Sequence, residues 1–348
     1  MIDWYRCLGA LVLTAAVTLI LARVAHRLDL VDHPGGRKDH GGVIPLVGGL
    51  AIFAGFALVL PGMPVPADFA HVLVAMLLMV IIGVIDDVRE IKARLKLLGQ
   101  IAAATVLVLG SGAELHSLGD LIGQGDVRLG GLAIPITIFC VVGIINALNM
   151  IDGLDGLAGG VSLVSVLALA FAAGLSAQPV VAGLLIVLSG SLAGFLIFNL
   201  RLPWQPQARV FLGDAGSNFL GLALAYFAVV LTQSGEAALA PMSAVWMIGL
   251  PILDTLTVMV RRMAQRRSPF SAGRDHLHHI LIDLGLGRGA TMWVLVASAA
   301  GLAAVGMAGW RAGIADWIML WSAVLILVVY YLCTNRVLAR LSRASSTG

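Results

Sequence analysis

The sequence predicts an all-α, polytopic integral membrane protein with about eleven transmembrane helices. Of its 348 residues, 59% are hydrophobic and only 12% are charged, and the mean hydropathy is +0.98. Soluble globular proteins carry about 25% charged residues, and an apolar run of about 20 residues can cross a bilayer as a helix. Such runs recur from one end of the chain to the other, so we expect a single transmembrane domain over residues 1–348.

The predicted spans follow one another without a visible internal repeat. The first is flanked by Asp3 and Arg6 and has no obvious cleavage site, so it is interpreted as a retained helix and not as a signal peptide. The longest interruptions are residues 23–44 and 261–289. The spans lie near residues 4–22, 45–61, 68–85, 97–111, 132–148, 160–176, 179–198, 215–232, 240–260, 290–308 and 314–333.

The distribution of basic residues predicts the orientation of these spans. Nineteen of the 22 lysines and arginines fall in alternate connecting segments, and only Arg6, Arg128 and Arg311 fall on the opposite side. Because cytosolic segments are enriched in Lys and Arg, we expect the N-terminus outside and the C-terminus in the cytosol. This topology explains the net charge of +3, and no basic face with interleaved aromatic residues indicates a nucleic-acid partner.

With this orientation, five polar segments meet at the cytosolic face. They are GVIDDVREIKARLK after the third span, NALNMIDGLDGLAGG after the fifth, VFLGDAGSNFLG at the start of the eighth, RRMAQRRSPFSAGRDHLHHILID after the ninth, and DHPGGRKDHGGVIPLVGG between the first two. Ionisable side chains close to hydrocarbon are costly and usually functional. Their convergence on one membrane face predicts an active site there.

The carboxylates in these segments suit a magnesium site. Asp86 and Asp87 are adjacent in the sequence, so their mutual repulsion requires a cation or water nearby. Asp152 and Asp155 are three residues apart and would share a helical face. Asp214 lies where a helix begins, and free backbone N–H groups at such a position favour an anion such as a phosphate. Mg²⁺ commonly binds through one or two carboxylates together with substrate phosphates.

Each motif also has a structural explanation when it is taken alone. Asp86 and Asp87 could form a solvated helix end, Asp214 could be an N-cap, and the glycines could serve close helix packing. The HLHH segment could be a surface loop or a zinc site, although no cysteine or nearby acid completes a zinc set. Asp254, within the ninth span, could bond inside the bundle or pair with Arg261.

Six of these motifs occur in the order typical of one family. They are VDHPGGRKDHGGVIPLVGG, GVIDDVREI, NALNMIDGLDGLAGG, FLGDAGS, PILDTLTVMVRR and SPFSAGRDHLHH. The chain resembles the polyprenyl-phosphate N-acetylhexosamine-1-phosphate transferases, and most of all the bacterial members that use UDP-N-acetylglucosamine (UDP-GlcNAc) and undecaprenyl phosphate. The related phospho-MurNAc-pentapeptide transferases share the carboxylate motifs but differ in the histidine-rich segment. The chain departs from the family pattern at Gly273, where an Asp is expected, and at Glu90, which is often Asp.

The resemblance implies a reaction on the cytosolic face of the bacterial inner membrane. Undecaprenyl phosphate would attack the β-phosphate of UDP-GlcNAc, or of another UDP-sugar carrying QuiNAc, FucNAc or MurNAc-pentapeptide, and UMP would leave. The lipid-linked product would start the synthesis of O-antigen lipopolysaccharide or a related cell-surface glycan. The implied cofactor is Mg²⁺, with Mn²⁺ as an alternative, and related families suggest a homodimer. A membrane transporter is the alternative of a different class, but it would place polar residues near the bilayer midplane, often within inverted repeats.

The resemblance also implies roles for particular residues. The implied catalytic residues are Asp86, Asp87, Asp152, Asp155 and His279. The implied metal ligands are Asp214 and Asp87. The implied substrate contacts are Arg37, Lys38, Asn146, Asn149, Arg274, His276 and His278. We expect nearby phosphates to favour the charged form of these histidines.

Overall fold

Helices make up almost all of the regular secondary structure in the described part of the chain. The computed structural model describes residues 4–33, 42–233, 235, 239–269 and 273–346. In chain order the elements are α1 (Trp4–Val24), β1 (Val31–Asp32), β2 (Ile44–Pro45), α2 (Gly48–Val59), α3 (Phe69–Arg89), α4 (Ala93–Ser111), α5 (Ala133–Ile151), α6 (Leu157–Leu175), α7 (Pro179–Asn199), α8 (Gly213–Gln233), α9 (Pro241–Met247), α10 (Gly249–Ala264), α11 (Leu277–Asp283), α12 (Arg288–Arg311) and α13 (Asp316–Ser346). The predicted all-α, polytopic architecture is confirmed.

Every predicted span coincides with a helix, but two of them are not simple spans. Nine helices in the described ranges are long and apolar enough to cross a membrane. The segment at 45–61 contains only α2, whose 12 residues extend about 18 Å. The segment at 240–260 is divided into α9 and α10, which are bent by 85° and would form a tenth span if they act as one. Pro251 explains the break, because it has no N–H to donate to the carbonyl of Met247.

Helix α8 lies at the centre of the bundle and is buried along almost its whole length. It packs against α2, α3 and α5. Small residues allow two of these contacts to be very close, since a Cβ added to Gly83 would overlap the backbone of Ala215, and a Cβ added to Gly49 would overlap that of Gly216. The end of α3 and the beginning of α2 are therefore held against the first turn of α8.

A short hairpin joins α1 to this centre. Strand β1 pairs antiparallel with β2, so that Asp32 lies opposite Ile44. The N–H of Phe211 donates to the carbonyl of Pro45 at 2.8 Å, and the carbonyl of Phe211 accepts from the N–H of Gly48 at 3.0 Å. These bonds attach the segment that precedes α8 to the hairpin.

The last helix, α13, lies at the periphery of the bundle. Its outward side chains include Trp321 and Leu325, which are 57% and 63% exposed. Large exposed apolar side chains of this kind are suited to contact with lipid. Its inner side packs against α9, α10 and α11.

Candidate active site

A cavity of about 550 Å³ opens at one end of the bundle. It lies where α3 and α5 end and α8 begins, and the connections that follow α7 and α10 enclose it. Its volume is that of a typical small-ligand site. It is lined by Asp32, Leu46, Asp86, Asp87, Glu90, Asn149, Asp152, Gly153, Leu154, Asp155, Asn199, Arg201, Phe211, Leu212, Gly213, Asp214, Arg274, His279, Ile282 and Arg288.

The cavity brings together most of the residues that the sequence singled out. Those that line it are Asp86, Asp87, Asn149, Asp152, Asp155, Asp214, Arg274 and His279. Three others, Asn146, His276 and His278, do not line it. Arg37 and Lys38 lie outside the described residues.

Lys96 joins two of the carboxylates. Its Nζ lies 2.8 Å from Asp86 Oδ2 and 2.7 Å from Asp214 Oδ2. The carboxamide N–H of Asn149 donates to the other oxygen of Asp214 and, at 2.9 Å, to Ser217 Oγ. One ammonium group therefore neutralises charge on α3 and on α8 at once, which explains how two carboxylates can approach each other here.

Asp87 caps helix α8. Its Oδ1 accepts the N–H of Asp214 at 2.8 Å, and its Oδ2 accepts the N–H of Ala215 at 3.3 Å. A carboxylate in this position satisfies two terminal N–H groups and complements the helix dipole. The expectation of free N–H groups for a phosphate is therefore wrong for Asp214 and Ala215, because the close contact at Gly83 brings the end of α3 to them. Asp87 as a metal ligand stays a prediction, since its oxygens retain further lone pairs.

Asp155 holds the connection between α7 and α8. Its Oδ2 lies 2.8 Å from Nε of Arg201 and accepts the N–H of Ala208 at 3.0 Å. The expectation that Asp152 and Asp155 share a helical face is wrong, because α5 ends at Ile151 and α6 begins only at Leu157. Gly156, with φ of 79°, allows the chain to turn between the two helices.

The carboxyl group of Asp152 accepts no hydrogen bond from the described part of the chain, in contrast to those of Asp86, Asp87, Asp155 and Asp214. Burial raises its pKa from 3.8 to about 8, and the negative charges of Asp214, Asp87 and Asp155 raise it in the same direction. The carboxyl group thus lies in a field that favours protonation or a nearby cation. A cation beside Asp152 would stabilise its ionised form.

The three histidines occupy different environments. His276 is buried, and its Nδ1 lies 2.7 Å from Asp254 Oδ2. His278 is buried against Gly153, where an added Cβ would overlap the imidazole. Only His279 faces the cavity, and its ring packs beside that of His278.

The pKa values of two histidines argue against the charged form. Burial and the neighbouring His279 lower the pKa of His278 to about 3. Burial, followed by the nearby Arg274, lowers the pKa of His279. Both shifts favour the neutral ring in the protein alone, and the expectation that nearby phosphates favour the charged form stays a prediction. The two rings offer hydrogen bonds, while Arg274 supplies positive charge.

The donor set fits magnesium better than zinc. Within the described residues, no three His, Cys, Asp or Glu side chains form a preformed metal site. This finding leaves the zinc alternative without support, because zinc sites use three or four protein ligands. Mg²⁺ needs only one or two carboxylates when substrate phosphates complete its shell. The oxygen-rich lining around Asp214 and Asp152 is compatible with that requirement.

Several residues of the site were not predicted. In the sequence, Lys96 serves only the topology prediction, although a lysine in the first turn of an apolar helix is a signal for a buried partner. The same holds for Arg201 and Arg288, and both line the cavity. Asp32 and Asn199 also line it. Asn199 gave no signal, whereas Asp32 lies in one of the quoted polar motifs.

Comparison with known proteins agrees with this geometry. Residues 69–232 match the model of glycosyl transferase family 4. Three relatives are each named undecaprenyl-phosphate alpha-N-acetylglucosaminyl 1-phosphate transferase. The Yersinia pestis protein is 33% identical over 92% of this chain and 88% of its own length. The Salmonella typhi protein is 33% identical over 93% of this chain and 89% of its own length. The Haemophilus influenzae protein is 32% identical over 88% of this chain and 87% of its own length.

The matched region contains the residues around which the cavity is built. It runs from the first residue of α3 to the end of α8, and so includes Asp86, Lys96, Asn149, Asp152 and Asp214. The relatives extend the similarity over almost the whole chain, including α10 to α12. The resemblance noted from the six motifs is confirmed, and the chain belongs to glycosyl transferase family 4, together with these membrane transferases.

Proposed function

We propose that this protein transfers N-acetylglucosamine-1-phosphate from UDP-GlcNAc to undecaprenyl phosphate. An oxygen of the lipid phosphate forms a bond to the β-phosphorus of the donor. The bond from that phosphorus to the bridging oxygen breaks, and UMP leaves with this oxygen. One observation carries the proposal: over 92% of its length, the chain is 33% identical to a transferase named for this reaction.

The position of the cavity supports a reaction between a lipid and a soluble donor. Its acids lie at the ends of long apolar helices, as Asp86 does near the end of α3 and Asp214 in the first turn of α8. A phosphate anchored in the bilayer reaches this depth, while a nucleotide sugar enters from the aqueous side. With the predicted orientation, this side is the cytosol of a bacterium and the membrane is its inner membrane.

The cavity residues divide into groups that bind, orient and neutralise. Arg274 and Arg288 offer positive charge to the donor diphosphate, and His279 offers a neutral hydrogen-bonding group beside them. Such groups accelerate the reaction when they hold the leaving phosphate more strongly as the bond to UMP breaks. Asp86 orients the acceptor phosphate together with Lys96, to which it is bound. A lipid phosphate is already nucleophilic near pH 7, so orientation and charge neutralisation carry most of the rate.

We also propose that Mg²⁺ is the cofactor, with Mn²⁺ as a substitute. Asp214 and Asp87 would hold the ion, and its charge would stabilise the ionised carboxylate of Asp152, which lines the same cavity. The bound ion would neutralise the donor diphosphate. The raised pKa of Asp152 supports this assignment, because burial and then the negative charges of Asp214, Asp87 and Asp155 raise it, and a divalent cation would offset both effects.

A transporter is less compatible with the arrangement of polar residues. Transporter sites lie near the bilayer midplane, where interrupted helices meet. Here the acids lie at helix termini, and the cavity opens at one end of the bundle. The bent pair α9–α10 contributes no residue to the cavity lining.

Release of UMP tests the proposed function. Purified protein in detergent, with undecaprenyl phosphate and Mg²⁺, should release UMP from UDP-GlcNAc and form a lipid-linked product. Omission of the lipid phosphate should abolish the release, which separates transfer from hydrolysis. Parallel reactions with UDP-sugars carrying QuiNAc, FucNAc or MurNAc-pentapeptide identify the preferred donor. Lipid-dependent release from none of these donors would contradict the proposed reaction.

A further inference from the structure

We propose that Asp254 and Tyr330 are positioning residues of this active site, and that they hold the histidine loop (residues 273–279) through the ring of His276. This inference rests on the proposed function and deepens it. It assigns His276 to the scaffold and not to the substrate, and it gives the last helix, α13, a part in catalysis.

The buried carboxylate of Asp254 is the centre of the arrangement. Its Oδ2 lies 2.7 Å from Nδ1 of His276, and its Oδ1 accepts the N–H of Leu277 at 3.0 Å and the hydroxyl of Tyr330 at 2.7 Å. Asp254 is 2% exposed. A buried carboxylate can only accept, so His276 donates its Nδ1–H to it. Three elements, α10, the start of α11 and α13, therefore meet at one side chain.

A second set of bonds, two turns farther along α10, holds the same parts together. Arg261 donates from Nε to Asn335 Oδ1 at 2.7 Å and from a terminal nitrogen to the carbonyl of Asp275 at 2.7 Å. Arg262 Nε lies 3.1 Å from Asp275 Oδ2. Both arginines are buried, and a buried charge with several partners fixes geometry more strongly than an exposed pair. The histidine loop is thus attached to α10 and α13 by two sets of bonds, one at Asp254 and one at Arg261 and Arg262.

This attachment determines where the cavity-facing groups of the loop lie. Arg274 is two residues before His276, and His279 is three residues after it. Both line the cavity, whereas His276 is buried with its Nδ1 turned to Asp254. A displacement of a catalytic group by about 1 Å can lower a rate on the order of 100-fold. Loosening of the bonds at Asp254 should therefore impair catalysis more than ground-state binding.

Two substitutions of His276 separate a positioning role from substrate contact. The amide nitrogen of Asn reaches the position of Nδ1, so His276→Asn keeps a donor for Asp254, whereas Gln mimics Nε2 on the opposite side of the ring. We expect His276→Asn to keep kcat within about threefold of wild type. His276→Ala and His276→Gln should lose about tenfold or more in kcat, with little change in the KM for UDP-GlcNAc. If Gln rescues activity and Asn does not, His276 contacts substrate and the proposal is wrong.

Tyrosine variants of α13 provide a matched pair. Tyr330→Phe removes only the hydroxyl that binds Asp254, and Tyr331→Phe makes the same change at the adjacent residue, outside the network. We expect the first to lower kcat about fivefold to tenfold and the second to leave it unchanged. Equal activity of the two variants would overturn the role of Tyr330. This pair decides the question even if His276→Ala does not fold.

Amide hydrogen exchange gives a readout that does not depend on the reaction. Exchange in the peptide covering residues 273–283 should be faster in Tyr330→Phe and Asp254→Asn than in Tyr331→Phe, because the N–H of Leu277 loses its fixed acceptor. If the wild-type protein releases no UMP but this difference is seen, the proposed function fails and the positioning network stands. If UMP is released and no difference is seen, the network fails and the proposed function stands.

Discussion

The two oxygens of Asp214 are bound to side chains from two different helices. Replacement by Asn keeps the shape of the side chain and removes its charge opposite Lys96. We predict that Asp214→Asn folds normally but lowers the rate of UMP release by a factor on the order of 100 or more, because the carboxylate that would hold Mg²⁺ at the diphosphate is lost. Asp68→Asn makes the same change at an exposed residue before α3 and should behave as wild type.

Removal of divalent metal provides a separate test of the same site. We predict that excess EDTA abolishes UMP release and that Mg²⁺ restores it. Full activity in EDTA would contradict the metal requirement. Full activity of Asp214→Asn, with EDTA still inhibitory, would contradict only the choice of this ligand.

Asp152 should give the protein a measurable pH dependence. Its pKa is about 8 in the folded protein against 3.8 for the free group, so the folded state holds a proton that the unfolded chain releases. The stability of EDTA-treated protein should therefore fall as the pH rises from about 4 to about 8, because the folded state binds more protons in this window. We predict a lower Tm at about pH 8.5 than at about pH 6, and a weaker pH dependence in Asp152→Asn.

The same residue should connect pH with metal binding. A cation binds the ionised carboxylate, so Mg²⁺ should raise the Tm more at about pH 8.5 than at about pH 6. In Asp152→Asn this difference should shrink. Parallel Tm curves for the variant and the wild type would show that Asp152 does not titrate in this range.

Between elements, the contact of the α5–α6 connection with α11 determines how the acids and the histidines approach each other. Gly153 lies so close to His278 that a Cβ would overlap the imidazole. We predict that Gly153→Ala separates the two segments and lowers kcat about tenfold. Gly143→Ala, where a Cβ would meet nothing within 4 Å, is the control and should behave as wild type. If the two variants have equal activity, the contact is not required.

The elements and the site differ in how far the sequence could predict them. The helices were predictable because long apolar runs have few alternatives in a bilayer. The convergence of acids was predictable because Asp86 and Asp152 lie where spans end and Asp214 lies where a span begins, and the predicted topology puts all three on one side of the membrane. The pairing of Lys96 with Asp214 was not predictable, since 118 residues separate them and several cations competed for that position. Pro251 marks a break in this span, but the angle of 85° between α9 and α10 depends on packing that no local pattern specifies.

At the scale of the whole molecule, the orientation in the membrane decides which substrates can reach the cavity. Trp204, which is 76% exposed, lies on the connection beside the cavity, and Gln124 lies on the connection at the opposite end. We predict that a cysteine at Gln124 reacts with an impermeant maleimide in intact cells, while one at Trp204 reacts only after permeabilisation. Both would be placed in a chain whose three native cysteines are replaced. The reverse pattern would put the cavity outside and overturn the proposed access of a cytosolic nucleotide sugar.

The cap that Asp87 forms on α8 has a consequence for inhibitor design. An anionic group that mimics a diphosphate would ordinarily be directed at a helix N-terminus. Here the N–H groups of Asp214 and Ala215, the second and third residues of the helix, already bind the carboxylate of Asp87, so such a group would have to displace Asp87 and would meet its negative charge. The productive direction lies across the cavity, where Arg288 and Arg274, whose Nη2 lies 3.1 Å from Asp283 Oδ1, line the wall. A selective compound should therefore carry its negative charge toward α11 and α12 and offer a neutral or cationic group to α8.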